Sequence, residues 1–178
     1  MNPRLVRWSV PRGFGLIEML VAVAVVAIGL LGFAKMQALA IGSTHNSGTR
    51  ALIALQASSL ASAMRANEAY WGAGIAPASF TVSGAQLSDA TLSTYTSDCT
   101  TVVCTPAQMA AFDARTWGAS LAAMFPGAGA TISCSTVIGT PVTCTITVNW
   151  SEKTVAVNAA VAAGSAPATL AYTLLVQP

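Results

Sequence analysis

The feature that most constrains this chain is an apolar run that begins at Phe14 and reads FGLIEMLVAVAVVAIGLLGFA. About 20 apolar residues suffice to cross a bilayer as an α-helix, and this run contains one charged residue, Glu18. The preceding stretch, MNPRLVRWSVPRG, holds three arginines and no acidic residue. Because positively charged flanks are retained in the cytoplasm, the sequence predicts a single membrane span with its N-terminus inside.

The boundary between the basic stretch and the apolar run is a candidate cleavage position. A secretory signal peptide is cleaved after its apolar segment, whereas cleavage between Gly13 and Phe14 would leave the helix on the mature chain. A carboxylate within an apolar helix is costly, so Glu18 is a functional candidate. It lies one turn from Phe14, whose new α-amino group it can neutralise in the same subunit or a neighbour. Alternatively, Glu18 merely extends to the lipid headgroups.

A short motif covers this boundary and reads Gly13-Phe14-Gly15-Leu16-Ile17-Glu18. It resembles the class III signal of type IV prepilins, in which Gly precedes Phe or Met, then usually Ser or Thr, Leu, Ile or Val, and Glu. Gly15 departs from that pattern. The resemblance implies cleavage after Gly13 by the prepilin peptidase, N-methylation of Phe14, and a role for Glu18 in subunit docking. It also implies an inner-membrane protein with a periplasmic head that later enters a pilus fibre at the cell surface.

Composition supports a subunit that buries much of its surface in lipid or in neighbours. Charged residues make up 8% of the chain, against about 25% in ordinary soluble proteins. Hydrophobic residues make up 54%, which excludes a disordered chain. Without residues 1–13, five basic and six acidic side chains remain, a balance of −1. No basic stripe is present in the sequence, so nucleic-acid binding is not supported.

The predicted helix extends beyond the apolar run and divides the chain. We expect a basic leader over 1–13, a transmembrane and filament-core half of the helix over 14–35, an amphipathic half over 36–70, and a periplasmic globular head over 71–178. In the amphipathic half, apolar residues recur at helical spacing, which indicates packing against the head. They are Ile53, Ala57, Leu60 and Met64.

The head sequence predicts one further helix and a small sheet. Residues 72–108, rich in Gly, Ser, Thr, Ala and Pro, predict a long connection. Thr105 and Pro106 are typical of a helix start, and a second helix with apolar Met109, Phe112, Trp117, Leu121 and Met124 is expected to end before Pro126-Gly127. Alternating β-branched residues predict strands at 130–134 and 144–150, joined by a turn at Gly139-Thr140-Pro141, with a third strand at 169–176. The fold class is therefore α+β, pilin-like, with a long N-terminal helix packed on a small antiparallel sheet.

Four cysteines lie late in the chain, at Cys99, Cys104, Cys134 and Cys144. An even count after a membrane segment indicates an oxidising compartment and two disulfides. Of the three possible pairings, the two local ones are favoured, Cys99–Cys104 and Cys134–Cys144. A zinc site requires shorter paired spacings, and no histidine is nearby, so we expect no metal and no cofactor.

Several other residues admit two interpretations. Trp117 and Trp150 are expected in the core, although tryptophan is also enriched at binding hot spots. Residues 64–67 form either a partner contact or a solvated helix end. His45 has no nearby serine–acid or cysteine partner in sequence, and Glu152 next to Lys153 is expected at a solvated strand edge. No catalytic constellation is visible in the sequence, so we expect a structural protein rather than an enzyme.

A second resemblance narrows the family to minor pilins of the PilV type, the type IV pilus modification proteins. The matching residues are Gly29-Leu30-Leu31-Gly32, Met64-Arg65-Ala66-Asn67, Cys99, Cys104, Asp113, Trp117, Pro126-Gly127 and Val148-Asn149-Trp150-Ser151-Glu152. The likeness implies a role in pilus priming or assembly, and hence in twitching motility and adhesion. Other minor pilins, the major pilin and a tip adhesin are the implied partners. The alternatives are a minor pseudopilin of type II secretion and a membrane-anchored periplasmic enzyme.

Overall fold

The structure, a computed structural model, describes residues 13–135, 137, 140–152 and 168–178. The predicted leader up to residue 12, Gly139 of the predicted turn, and Lys153 lie outside these residues. The chain divides into two compact units, Met1–Ile41 and Gly42–Pro178. The helices are α1 Leu16–Ala66, α2 Glu68–Trp71, α3 Ala90–Thr94 and α4 Pro106–Met124. The strands are β1 Ser79–Ser83, β2 Gln86–Leu87, β3 Gly129–Cys134, β4 Cys144–Glu152 and β5 Ala168–Val176.

Helix α1 is continuous for 51 residues, as the sequence predicts, and contains no proline. It ends at Ala66 because Asn67 leaves helical geometry, with φ −114° and ψ 52°. The Asn67 side-chain amide donates a hydrogen bond of 2.8 Å to the carbonyl of Pro106 at the start of α4. A single further turn, α2, then ends at Gly72, close to the end predicted from the sequence.

The first unit contains the apolar part of α1. Every residue from 13 to 38 is exposed within the subunit. Among the described residues, α1 is the one helix that is long and apolar enough to cross a membrane, judged by length and composition. Its backbone hydrogen bonds are satisfied within the helix, which is the condition for a segment to lie in lipid.

The second unit is built on a five-stranded antiparallel sheet in the order β2-β1-β3-β4-β5. Alternate residues of each long central strand face the core, among them Phe80, Ile132, Ile146 and Val148. The stripe Ile53, Ala57, Leu60 and Met64 of α1 belongs to the same buried core, so the predicted amphipathic half of the helix packs as expected. The predicted pilin-like α+β architecture is confirmed.

The prediction of a long connection over residues 72–108 is wrong. Strands β1 and β2 and helix α3 lie in it, and β1 pairs with β3 over Ser79–Val82. Phe80 and Val82 alternate with exposed hydroxyl residues, which is the period of a half-buried strand. The hairpin turns at Gly84, whose φ of +53° favours glycine. Because residues 72–108 are rich in small residues, the short alternating pattern of β1 was not recognised in the sequence.

Helix α4 begins as predicted. Thr105 caps it, and Thr105 with Gln108 forms a capping box. Its buried face is smaller than the apolar pattern suggested, because Met109 and Phe112 are half-buried and Met124 is exposed. The buried residues are Ala110, Ala111, Ala114, Trp117, Gly118 and Leu121. A Cβ on Gly118 would clash with the Gly84 carbonyl, so small residues allow α4 to lie directly on the β1–β2 hairpin.

Candidate functional site

The candidate processing site lies just before α1. Gly13, Phe14 and Gly15 are outside the helix, and the Phe14 side chain is 77% exposed. The helix opens at the Gly15 carbonyl, which accepts hydrogen bonds from the backbone N–H groups of Glu18 (3.0 Å) and Met19 (3.3 Å). The Gly13–Phe14 peptide bond therefore lies outside the helix, in an exposed part of the chain.

Glu18 occupies the first turn of α1 and is exposed. A carboxylate at this end of a helix is favoured by the partial positive charge of the free N–H groups. Its neighbours Leu16 and Ile17 are also largely exposed, at 80% and 76%. The arrangement presents one anionic group within an apolar surface, and that group can accept an ammonium ion.

A partly buried ion pair connects α1 to the sheet, with the Glu152 side chain buried and the Arg50 side chain exposed. The Arg50 guanidinium donates to both carboxylate oxygens of Glu152, over 3.1 Å from Nε and 2.9 Å from Nη2. The indole N–H of Trp150 donates to the same carboxylate over 3.0 Å. The hydrogen bonds from Arg50, reinforced by the one from Trp150, hold the pKa of the Glu152 carboxyl below its ordinary value, although its burial works in the opposite direction.

The expectation that Glu152 lies at a solvated strand edge is wrong, because its side chain is 5% exposed. Sequence reasoning missed this pair, although a signal was present. Val148, Trp150 and Glu152 are at alternate positions of one strand and so share a face, and Trp150 was expected in the core. A carboxylate on that face requires a cationic or hydrogen-bonding partner, which α1 supplies with Arg50.

Both tryptophans predicted to be in the core lie there, each 6% exposed. The indole N–H of Trp117 donates 2.8 Å to the backbone carbonyl of Gln56, which joins α4 to α1. Within residues 64–67, Met64 is buried in the head, Arg65 is exposed, and Asn67 bonds to α4. Two members of this segment therefore contribute to the fold of this chain.

The structure contains two disulfides, in the pairing that the sequence favours. Cys99 and Cys104 are joined over 2.06 Å and close a short loop ahead of α4. Cys134 and Cys144 are joined over 2.05 Å and are directly opposite each other on β3 and β4. Within the described chain, no group of three or more His, Cys, Asp or Glu residues is placed to hold a metal.

Two further residues named from the sequence lie on helix surfaces. His45 is exposed on α1. Asp113 is half-buried on α4, and burial raises the pKa of its carboxyl.

Comparison with known proteins identifies the N-terminal feature. Residues 9–34 match the family model described as the prokaryotic N-terminal methylation motif. The chain thus carries the class III signal of type IV pilins and pseudopilins at the position where Gly13, Phe14 and Glu18 lie. Neither the curated proteins nor the solved structures gave a significant match to the chain.

Proposed function

We propose that this protein is a subunit of the type IV pilin family, specifically a minor pilin of the PilV type that acts in pilus priming and assembly. The observation that carries this proposal is the methylation motif at residues 9–34, which includes an apolar helical segment that packs against nothing in its own unit. The role is structural, and the protein supports twitching motility and adhesion through the filament.

The exposed helix explains why such a subunit needs two successive environments. Apolar surface in water costs roughly 25 cal/mol per Å², so the side chains of residues 14–38 require lipid before assembly. In the filament, the same surface packs against the helices of neighbouring subunits. The helix therefore serves first as a membrane anchor and then as part of the filament core.

Glu18 supplies the register of that packing. An apolar helix slides against its neighbours at little cost, whereas one carboxylate in an apolar surface must find a cation. Cleavage after Gly13 creates an ammonium group on Phe14, and N-methylation keeps its charge. Pairing of Glu18 with the Phe14 ammonium of a neighbour fixes the axial position of each subunit.

The assignment to the PilV type is supported by the scattered likeness of head residues. Among the matching residues, Trp117 and the segment Val148–Glu152 contribute to the buried core and to the ion pair. Their similarity to PilV-type pilins is therefore a similarity in how the head folds. Prepilin peptidase, other minor pilins, the major pilin and a tip adhesin are the proposed partners. The protein inserts in the inner membrane with its N-terminus in the cytoplasm and its head in the periplasm, and then enters the pilus fibre at the cell surface.

The test begins with the mature N-terminus. Mass spectrometry of the protein from membranes and from sheared pili is expected to find N-methylated Phe14 as the first residue. Deletion of the gene is expected to abolish twitching and leave exoprotein secretion intact. Intact twitching with loss of exoprotein secretion would assign the protein to type II secretion. A mature protein that still begins at Met1 would be a membrane-anchored periplasmic protein and not a filament subunit.

The docking role of Glu18 has its own test. Glu18→Gln removes the charge and conserves the size, so cleavage and methylation are expected to persist while incorporation into pili falls at least about tenfold, the effect of losing roughly 1.4 kcal/mol. Glu68→Gln, an exposed glutamate in the head, is the matched control and is expected to incorporate normally. Normal incorporation of Glu18→Gln would show that the docking role is wrong.

A further inference from the structure

A groove of about 360 Å³ lies between α1 and α4 in the head, and we call it the α1–α4 groove. Polar and small side chains line it, at the same spacing of three and then four residues on each helix. They are Gln56, Ser59 and Ala63 of α1, and Asp113, Thr116 and Ser120 of α4. None of these six belongs to the head core, so the fold leaves this surface open.

Among the described residues that line the groove, Asp113 is the one with an ionisable side chain. It is half-buried, and no cation or hydrogen-bond donor of the described chain contacts its carboxylate. Burial raises the pKa of this carboxyl, with no positive charge to offset it. Arg115, two residues later, donates instead to the backbone carbonyls of Leu92 and Ser93. A carboxylate partly removed from water without a partner costs stability, so the fold of the chain does not account for Asp113.

Two aromatic side chains line the groove together with Asp113. Phe112 is half-buried, and Trp117 is held in place by the hydrogen bond from its indole to the Gln56 carbonyl. Aromatic rings attract cations, most often the guanidinium group of arginine. The carboxylate and the aromatic rings are thus two independent features of the groove that favour the same ligand chemistry, a positive charge.

The hydroxyl groups in the groove distinguish between the two long basic side chains. Ser59, Thr116 and Ser120 are exposed, and their hydroxyls have no hydrogen-bond partner within the part of the chain that the structure describes. A guanidinium has five N–H donors in a planar fork, whereas a lysine ammonium has three and is more strongly hydrated. Two carboxylate oxygens and three hydroxyls match the larger number of donors, so the groove suits arginine better than lysine.

Exposed apolar side chains border the groove. Met124 lines it near the end of α4 and is 45% exposed. Leu52, one turn before Gln56 on α1, is 49% exposed. When a partner protein covers such a border, water is excluded from the charged group at its centre, which is the arrangement of a binding hot spot. The border therefore favours a protein as the partner over a free cation.

We propose that the α1–α4 groove binds an arginine side chain of a different pilin subunit, with Asp113 as its counter-ion. The contact rests on the proposed function, because a minor pilin has subunits of other sequence as its neighbours in the filament. Complementary charge supports this occupant, since the groove contributes a carboxylate and the partner a guanidinium. A half-buried pair of this kind orients the two subunits as well as holding them together.

The first test removes the charge of Asp113. Asp113→Asn keeps the size of the side chain and is expected to lower incorporation into pili at least about tenfold. The melting temperature of the full chain in detergent is expected to stay the same or rise, because the variant loses an unpaired carboxylate. Glu68→Gln, at an exposed glutamate of the head, is the matched control and is expected to incorporate normally. A lower melting temperature of Asp113→Asn would show that Asp113 serves the fold instead.

The second test identifies the occupant in the host. The full chain carries the photoreactive residue benzoylphenylalanine in place of Ser120, which is exposed in the groove. Irradiation of intact pili is expected to join it to a pilin of different sequence, through a peptide that contains or is bounded by an arginine. Asp113→Asn in the same chain is expected to lower the yield about tenfold. A linked peptide without arginine, a link to a second copy of this chain, or no product overturns the proposal.

Exchange of the two charges completes the test. Replacement of the linked arginine by aspartate in the partner is expected to reduce incorporation of this protein to the level of Asp113→Asn. Combination of that replacement with Asp113→Arg is expected to restore incorporation severalfold over either single variant, because the pair is formed again with its charges reversed. Two single losses without recovery in the combination would show that the two residues do not pair.

Processing at Gly13 and recovery of the wild-type protein in sheared pili are measured in the same strains. If the wild type is processed and incorporated, then normal incorporation of Asp113→Asn overturns the groove contact and leaves the proposed function standing. If the wild type is neither processed nor incorporated, the proposed function is wrong, and the contact falls with it.

Discussion

The two halves of α1 differ in what covers their apolar side chains. In the first half, from Leu16 to Met36, the large apolar side chains are 55% to 80% exposed. In the second half, Ile53 and Ala57 are fully buried and Leu60 and Met64 nearly so. One continuous helix thus passes from a segment with no core of its own to a segment that completes the core of the head.

This difference shows that helix formation and burial are independent in this chain. Backbone hydrogen bonds are internal to a helix, so the first half keeps its secondary structure without tertiary contacts. Its apolar surface has no partner in its own unit, so its burial requires lipid or another molecule. In the second half of α1, the head of the same chain buries the apolar side chains. Buried apolar residues therefore alternate there with exposed residues at helical spacing.

Removal of the first unit is expected to give the largest effect. A chain of residues 42–178, exported to the periplasm so that its disulfides form, is expected to be soluble without detergent and to melt cooperatively. The full chain is expected to sediment with membranes after a high-salt wash and to enter solution only with detergent. Differential sedimentation and circular dichroism measure both properties.

Either of two results would show that the two halves of α1 are not independent. An aggregated or unfolded 42–178 fragment would show that the head needs the first unit for its own stability. A full chain that stays soluble after washing would show that its apolar surface is covered in some other way.

Isoleucine-to-alanine substitutions in the two halves of α1 are expected to have different effects on stability. Ile53→Ala is expected to lower the free energy of unfolding of the head by about 2–5 kcal/mol, since Ile53 is fully buried. Ile28→Ala, at a side chain that is 72% exposed, is expected to change it by less than about 0.5 kcal/mol. Urea unfolding in detergent, followed by the fluorescence of the head tryptophans, measures both. Equal losses would contradict the separation of the two halves.

Elements with a sustained pattern were predictable from the sequence. Helix α1 is continuously apolar in its first half and has helical periodicity from Ile53, and no proline interrupts its 51 residues. Strand β4 alternates over its nine residues, which suffices to place it. At the N-terminus, Gly13, Phe14 and Glu18 carry a signal in their spacing alone, and the methylation motif matches there.

Elements that depend on tertiary partners were not predictable in the same way. Strand β1 has five residues and is held by pairing with β3, a partner about fifty residues away. The close approach of Gly118 to Gly84 has no local signature, because it depends on where two elements meet. The Arg50–Glu152 pair spans 102 residues, so neither member reveals the other.

The smallest predicted effect is the change in melting temperature when Glu152 of the head is replaced, with Glu18 of the first unit as the control. The Arg50 guanidinium keeps the folded-state pKa of Glu152 below its ordinary value of 4.5. The folded state therefore favours the ionised carboxylate, which contributes stability above about pH 4.5 and loses that contribution as the pH falls towards the lowered pKa. Glu152→Gln is expected to lower the melting temperature at pH 7, by less than Ile53→Ala does, and the difference from wild type is expected to shrink below pH 4.5.

Glu18→Gln is the matched control, because Glu18 lies outside the unit that melts. Its melting curve is expected to follow that of the wild type from pH 3 to pH 7, measured by tryptophan fluorescence in detergent. A pH-independent effect of Glu152→Gln would mean that lost packing, rather than lost charge, explains its instability. A pH-dependent effect of Glu18→Gln would show that the charge of Glu18 in the first unit affects the stability of the head. The stability of the head would then not depend on its own residues alone.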